Sequence, residues 1–541
     1  MQSCFGLHKK TVKLSFPIIL IFFSLILLLP FYSGSFYLNH DAEVHLVRSV
    51  EYMRAFLDGQ LPPRWAPNLN FGFGSPVFII FYPLAGYLIA LLHLLGLSLE
   101  HSFLILAGMA FILGPLGFFL WLREKYDDFT AFLAALFYSV IPYRFLTLYV
   151  RGSIGELIAL SLIPFIFYCL ESRRSKILVG GILYGLLVLS HNGLSLIFTP
   201  IFILYSLFIA KKHKEILLML VIGLGLSSYF WIPALIESKY TSFLLYYKNM
   251  YRDNFISFLS LIYSPWGFET RINEQGGLSA QIGVPGIVIL ISVTVMMFFR
   301  RDKKQTSFFL FWLAIFLIGI FLSTALSSSL WEKFDFLKKF QFPWRFLVIS
   351  SFATSAISPI LFSNTSKRIA LVIIALCIVY SLPFIKVQKY ITRGDNYYYS
   401  YQGSSTHRAE ATPIWSPGDP SRKALSRLEI IGGQGILKNV HLQSTKHSFI
   451  VLSRTGVAIL DNTLYFPGWT LRIDGQKTPL EFQDPNHQGL ITFHVPAGEH
   501  TVEVAFENTK VRLVGNIISF VSILAVVGYV FALKLKNFNM R

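Results

Sequence analysis

The chain has 541 residues, 54% of them apolar and only 14% charged, with a mean hydropathy of +0.56. Soluble domains carry about 25% charged residues, so this composition excludes a soluble protein and implies repeated membrane crossings. The net charge of +18 does not point to nucleic acid, because no basic patch with interleaved aromatics stands out and membrane proteins load Lys and Arg onto cytoplasmic loops.

In chain order, apolar segments lie near 14–33, 76–96, 102–122, 129–148, 154–170, 177–190, 194–210, 215–236, 282–299, 306–325, 345–363, 368–387 and 512–533. The first follows HKKTVK and has no A-x-A site after it, which reads as an uncleaved span. Lys/Arg groups at 9–13, 123–125, 173–176, 211–214, 300–304, 367–368 and 534–541 hold 20 of the 47 basic residues. Placing all seven inside gives about 12 crossings with both termini cytoplasmic, provided that the two segments between 76 and 122 make an odd number of crossings. Regions 34–75, 144–153, 237–281, 326–344 and 388–511 then lie outside, as does the turn at His191. Of the three cysteines, Cys4, Cys169 and Cys377, none falls after residue 388, so no disulfide supports the polar region there.

That region, 388–511, changes character. LEIIGG, SFIVLS and GVAIL have strand lengths, LRIDGQKTPLEF carries an Asp-Gly hairpin signal, and VPAGEHTVEVAF has a Pro/Gly turn followed by strict alternation. The expectation is a polytopic α-helical membrane domain over 1–387, an extracytoplasmic β-sandwich over 388–511, and a final span with a cytoplasmic tail over 512–541. No internal repeat or low-complexity segment is evident.

The first external loop contains NHDAEVHLVRSVEYMRAFLDGQLPPRW. Leu46, Val47, Val50, Met53 and Leu57 recur at helical spacing. Asp41 is placed to cap this helix and Gly59 to stop it, and the helix is expected to lie on the outer membrane surface. Asp41 and His45 share a face, four residues apart. An acid at a membrane mouth beside Glu43 and His45 suits a general base or a metal ligand, although capping alone would explain Asp41 equally well.

The stretch HDAEVH…GQLPPRWAPNLNFGFGSPVFIIFYPL resembles the first external loop of the 6-pyruvoyl-tetrahydropterin synthase-related membrane family of bacteria and archaea. So do YRFLTLYVRGSIGE, LSHNGLSL, YFWIPALIE, FQFPWRFL and RAEATPIW, while YFPGWTLRIDGQ…VPAGEHTVEVAF resembles the end of YfhO-like membrane proteins. The soluble pterin enzyme holds zinc with a His-x-His pair, which is absent here. Both membrane groups resemble the GT-C superfamily of integral-membrane glycosyltransferases. The resemblance implies sugar transfer from a polyprenyl-phosphate donor to a surface glycan, lipid or protein acceptor, on the non-cytoplasmic face of the plasma membrane. It puts Asp41 where the superfamily's loop acid belongs.

Under that reading Asp41 is the base, with Glu43 as substitute and His45 positioning it. Arg64, Arg144 and Arg151 are candidate phosphate clamps, since guanidinium pairs with phosphate oxygens; lipid headgroup contact is the plainer alternative for each. Glu156, His191 and Glu237 are further candidates for substrate contact. The second external loop lacks a D-x-D pair, which leaves a divalent metal without support. The rival reading is a non-enzymatic transporter or scaffold for assembly of lipid-linked surface polymers. The clustering of polar residues at the outer mouth favours the enzyme.

Overall fold

The computed structural model describes residues 14–299, 302–405, 410–418, 420 and 423–539. The basic residues at 9–13, 300–301 and 541, Cys4, and the Arg408-Ala409 start of the RAEATPIW stretch lie outside them.

Thirteen apolar helical segments correspond to the thirteen read from sequence. Among the described residues eight helices are long and apolar enough to cross a membrane. We label the helices in chain order. The first two are α1 (Ser15–Leu27) and α2 (Ala42–Leu57), followed by α3 (Leu84–Leu94) and α4 (Leu99–Leu122). Next come α5 (Asp128–Ser139) and α6 (Pro142–Arg151), which meet at 49°. The series continues with α7 (Ile154–Glu171), α8 (Ile177–Ser190), α9 (Asn192–Ala210) and α10 (His213–Tyr240). It closes with α11 (Val284–Phe299), α12 (Lys303–Ser323), α13 (Pro343–Ser363), α14 (Lys367–Phe384) and α15 (Lys510–Leu535).

The pair between 76 and 122 is unequal. At about 1.5 Å per residue the 11 residues of α3 reach about 16 Å, half of the roughly 30 Å hydrocarbon core, whereas α4 is long enough to cross.

The β region has six strands: β1 (Leu428–Leu442), β2 (Lys446–Leu464), β3 (Trp469–Ile473), β4 (Gln476–Thr478), β5 (Leu490–Val495) and β6 (Gly498–Phe506). They form one antiparallel sheet in the order β1-β2-β6-β3-β4, with β5 also on β2. β1 pairs with β2 at both of its ends, while β6 and β5 take successive halves of its other edge, from Ser453↔Gly498 to Val457↔Val495. Pro496, with no N–H to donate, falls where one half gives way to the other. Asp474 and Gly475 both have positive φ in the β3–β4 hairpin, as the Asp-Gly signal implies. The six strands are thus continuous through hydrogen bonds and share one core.

The cover over this sheet comes partly from the first external loop. Trp65 is 1% exposed and packs edge-on to Trp469 at 5.4 Å and against Phe506 at 5.2 Å. Nearby, Arg64 bonds the Tyr229 carbonyl and Asn516, and Asp58 accepts from Ser444. α2 therefore does not lie on a membrane surface. Most of its residues are buried, and its polar side is covered by residues 395–405 through Arg54–Tyr399 and Arg48–Ser405 bonds.

Candidate functional site at the start of the first external helix

The start of α2 is joined to the end of α6 by backbone bonds, from His40 N–H to the Val150 carbonyl at 3.1 Å and from Asp41 N–H to the Arg151 carbonyl at 2.8 Å. Residues 146–151 form a π-helical turn, which Gly152 ends in the left-handed region at φ +61°. Such turns are frequent at functional sites.

Asp41 does not cap α2. Its dihedrals are already helical (φ −114°, ψ −19°) and its carboxylate bonds no first-turn amide. The cap comes from two residues earlier, where Asn39 Oδ1 accepts from Ala42 N–H at 2.8 Å, the cap-to-third-residue spacing. The Asp41 carboxylate, 37% exposed, stands instead 3.8 Å from Arg151.

Arg151 is the hinge of the cluster. One of its nitrogens bonds Glu156, another faces Asp41, and the guanidinium stacks 4.9 Å above Trp344. Glu156, 1% exposed in the first turn of α7, also accepts from Tyr143 at 2.6 Å. His45, one turn beyond Asp41, faces Tyr82 at 6.1 Å, and Tyr82 faces His191 at 5.0 Å. Burial, reinforced by the neighbouring Arg48 guanidinium, pushes the His45 imidazole down to about 3, so the ring is neutral at physiological pH. His191 Nδ1 accepts from Leu194 N–H at 3.0 Å and caps α9, which leaves the proton of the neutral ring on Nε2.

Asp41, His45, Tyr82, Arg151, Glu156, His191 and Trp344 line one cavity of about 1390 Å³. All five regions assigned to one side by the loop charges contribute to it, together with the His191 turn. Arg48, Arg271, Lys339 and Arg345, none of them singled out from sequence, also line it. Arg48 lies seven residues after Asp41, bonds the Ser405 carbonyl at 2.6 Å and covers the Phe81 ring at 4.1 Å. Arg345 bonds the Phe340 carbonyl at 3.0 Å, covers the Phe342 ring at 4.9 Å and has no partner for its Nε. The position of Arg48 on the Asp41 face of α2 was a usable signal. Arg345 had none beyond the aromatic FQFPWRFL stretch.

Four candidates lie elsewhere. Glu43 turns to Arg393 and Tyr397. Arg64 ties the first loop to α10 and α15. Arg144, 2% exposed, is enclosed by the Phe111 and Tyr138 rings at 4.1 and 4.8 Å, so it does not join Arg151 despite the seven-residue spacing. Glu237 bonds Arg512 at 2.8 Å and Thr509, joining α10 to α15. Among the described residues no three His, Cys, Asp or Glu side chains gather to hold a metal ion, and the Arg151 guanidinium already stands between Asp41 and Glu156.

Fold and cavity together define a polytopic membrane protein whose loops close over a charged chamber. Residues 79–389, more than half of the chain, match the family described as the 6-pyruvoyl-tetrahydropterin synthase related domain, a membrane protein, and the chain belongs to that family. An uncharacterized protein of Lactococcus lactis subsp. cremoris is 25% identical over 250 residues, 42% of this chain and 41% of that relative; the chain thus spans less than half of its length. Among solved structures, the apo oligosaccharyltransferase of Archaeoglobus fulgidus gives a TM-score of 0.43 at 16% identity, over 70% of this chain and 55% of that one. The mycobacterial arabinofuranosyltransferase AftD gives 0.43 at 15% identity, over 71% and 27%. Neither likeness bears on activity.

Proposed function

We propose that the protein is an integral-membrane glycosyltransferase that moves a sugar from a polyprenyl-phosphate donor to a cell-surface acceptor on the non-cytoplasmic side. The observation that carries this reading is the Asp41 carboxylate, released from capping and turned toward a cavity beside Arg151. The acceptor oxygen bonds the anomeric carbon, its proton passes to Asp41, and the bond from that carbon to the phosphate oxygen breaks with its electron pair leaving on phosphate. Arg151 and Arg345 face the same chamber and offset the charge that develops on the leaving group. Val188, Leu194 and Ile197 with Leu224 and Trp231 give the chamber an apolar flank between α8, α9 and α10, suited to the donor's hydrocarbon tail.

The test is transfer from a polyprenyl-phosphate sugar in membranes carrying Asp41→Asn. Turnover falls by about 10²–10⁴, the usual cost of a lost general base, at unchanged expression. Glu43→Gln, which lies outside the cavity, serves as the charge control. Full turnover in Asp41→Asn favours the transporter or scaffold.

A further inference from the structure

Two prolines leave carbonyls without their helical partners around the break between α5 and α6. In an α-helix each carbonyl accepts from the N–H four residues on, and proline has none to donate. Pro115 lies inside α4, so the Phe111 carbonyl is freed; Pro142 begins α6, so the Tyr138 carbonyl near the end of α5 is freed as well. Within a bilayer such groups must be taken up by a neighbour. Arg144 serves both, with Nη2 donating to the Phe111 carbonyl at 2.5 Å and Nη1 to the Tyr138 carbonyl at 3.5 Å. The rings of the same two residues enclose its guanidinium, and Gly114 admits it: a Cβ there would lie 3.2 Å from Nη2. Among the described residues Arg144 is paired with no carboxylate.

We infer that Arg144 is a positioning residue that closes both proline breaks with one guanidinium, and so sets how α6 leaves α5, at 49°, and where α6 carries Arg151 at the cavity. This role stands whether or not the chamber transfers sugar. The test is a double-mutant cycle on the full-length protein in detergent. Arg144→Met removes the donors and lowers the thermal midpoint. Pro115→Ala gives the Phe111 carbonyl an N–H inside α4, so adding Arg144→Met to it lowers the midpoint by no more than half as much. If Arg144→Met alone does not accumulate, recovery of yield on adding Pro115→Ala reads the same coupling. The position of α6 is read by its neighbour Ser153, which is 2% exposed and lines the cavity. In a chain with Cys4, Cys169 and Cys377 replaced, a thiol introduced by Ser153→Cys reacts slowly with a maleimide. Arg144→Met raises that rate about fivefold, the population shift of one lost hydrogen bond, and Pro115→Ala reverses most of the rise. A midpoint loss reduced by less than half, a yield that does not recover, or an unchanged rate at 153 overturns the inference.

Discussion

Arg151 is bonded to Glu156 on one side and stands 3.8 Å from Asp41 on the other, with only Glu156 fully buried. The two carboxylates therefore differ in kind. Glu156 neutralises a guanidinium that is itself 4% exposed, whereas Asp41 stands 3.8 Å from it with its carboxylate partly exposed. Glu156→Gln leaves Arg151 with a distant partner only. Breaking a buried pair costs about 3–5 kcal/mol, so this variant melts well below the wild type in detergent. Glu43→Gln, whose pair with Arg393 is a third exposed, changes stability by less than about 1 kcal/mol.

His45 makes stability depend on pH. Its folded value, about 3, lies below its ordinary 6.5, so the unfolded chain binds more protons between those limits. The stabilisation is whole above pH 6.5 and is lost as pH falls toward 3, with a slope of up to about 1.4 kcal/mol per pH unit from this one ring. Thermal midpoints measured from pH 7.5 to 5 decline less steeply in His45→Gln than in the wild type. Equal slopes would remove His45 as the cause.

Trp65 joins the first external loop to the sheet. Its truncation to Ala removes a ring packed on Trp469 and Phe506 and costs about 3–5 kcal/mol at that contact. Limited proteolysis of membranes carrying Trp65→Ala releases a fragment beginning in 423–428 at protease levels that leave the wild type whole. Unchanged resistance would mean that the bonds of Arg64 and Asp58 hold the two parts together unaided.

The orientation derived from loop charge has a direct measure. In a chain with Cys4, Cys169 and Cys377 replaced, single cysteines at Ser404, His213 and Lys303 are exposed to an impermeant thiol reagent in intact cells. Ser404 lines the cavity and labels. His213 and Lys303 stay protected until the cells are broken. Labelling at 213 would turn the cavity toward the cytoplasm.

The thirteen apolar segments were legible because each is a concentrated apolar run, although among the described residues only eight helices are long and apolar enough to cross a membrane. The Asp-Gly hairpin was legible because its turn demands positive φ at two positions. The site was legible only in part. Asp41 was found from its place at a helix start, where capping was the competing explanation; that the cap comes instead from Asn39, two residues earlier, is not visible in the spacing. Arg64, Arg144 and Arg151 look alike in sequence, each beside apolar residues. Which of them meets the cavity depends on neighbours such as Asn516, Phe111 and Trp344 that no local pattern supplies. The expectation of a surface helix failed for the same reason: residues 395–405 cover the polar side of α2, and amphipathic spacing does not reveal what lies opposite.

The seating of Trp65 against Trp469 also sets an order in time. These rings are separated by some 400 residues of chain, which a ribosome adds in roughly 20–80 s at about 5–20 residues per second. Throughout that interval the wall of the cavity that carries Asp41 has no finished anchor, and its largest apolar side chain waits without the ring it will cover. The chamber closes only once the sheet has been made, so a chain cut short anywhere before the sheet would have its earlier spans inserted but present an open, unfinished site. Chaperones and proteases that recognise exposed aromatic surface would distinguish such fragments from chains that carry the sheet.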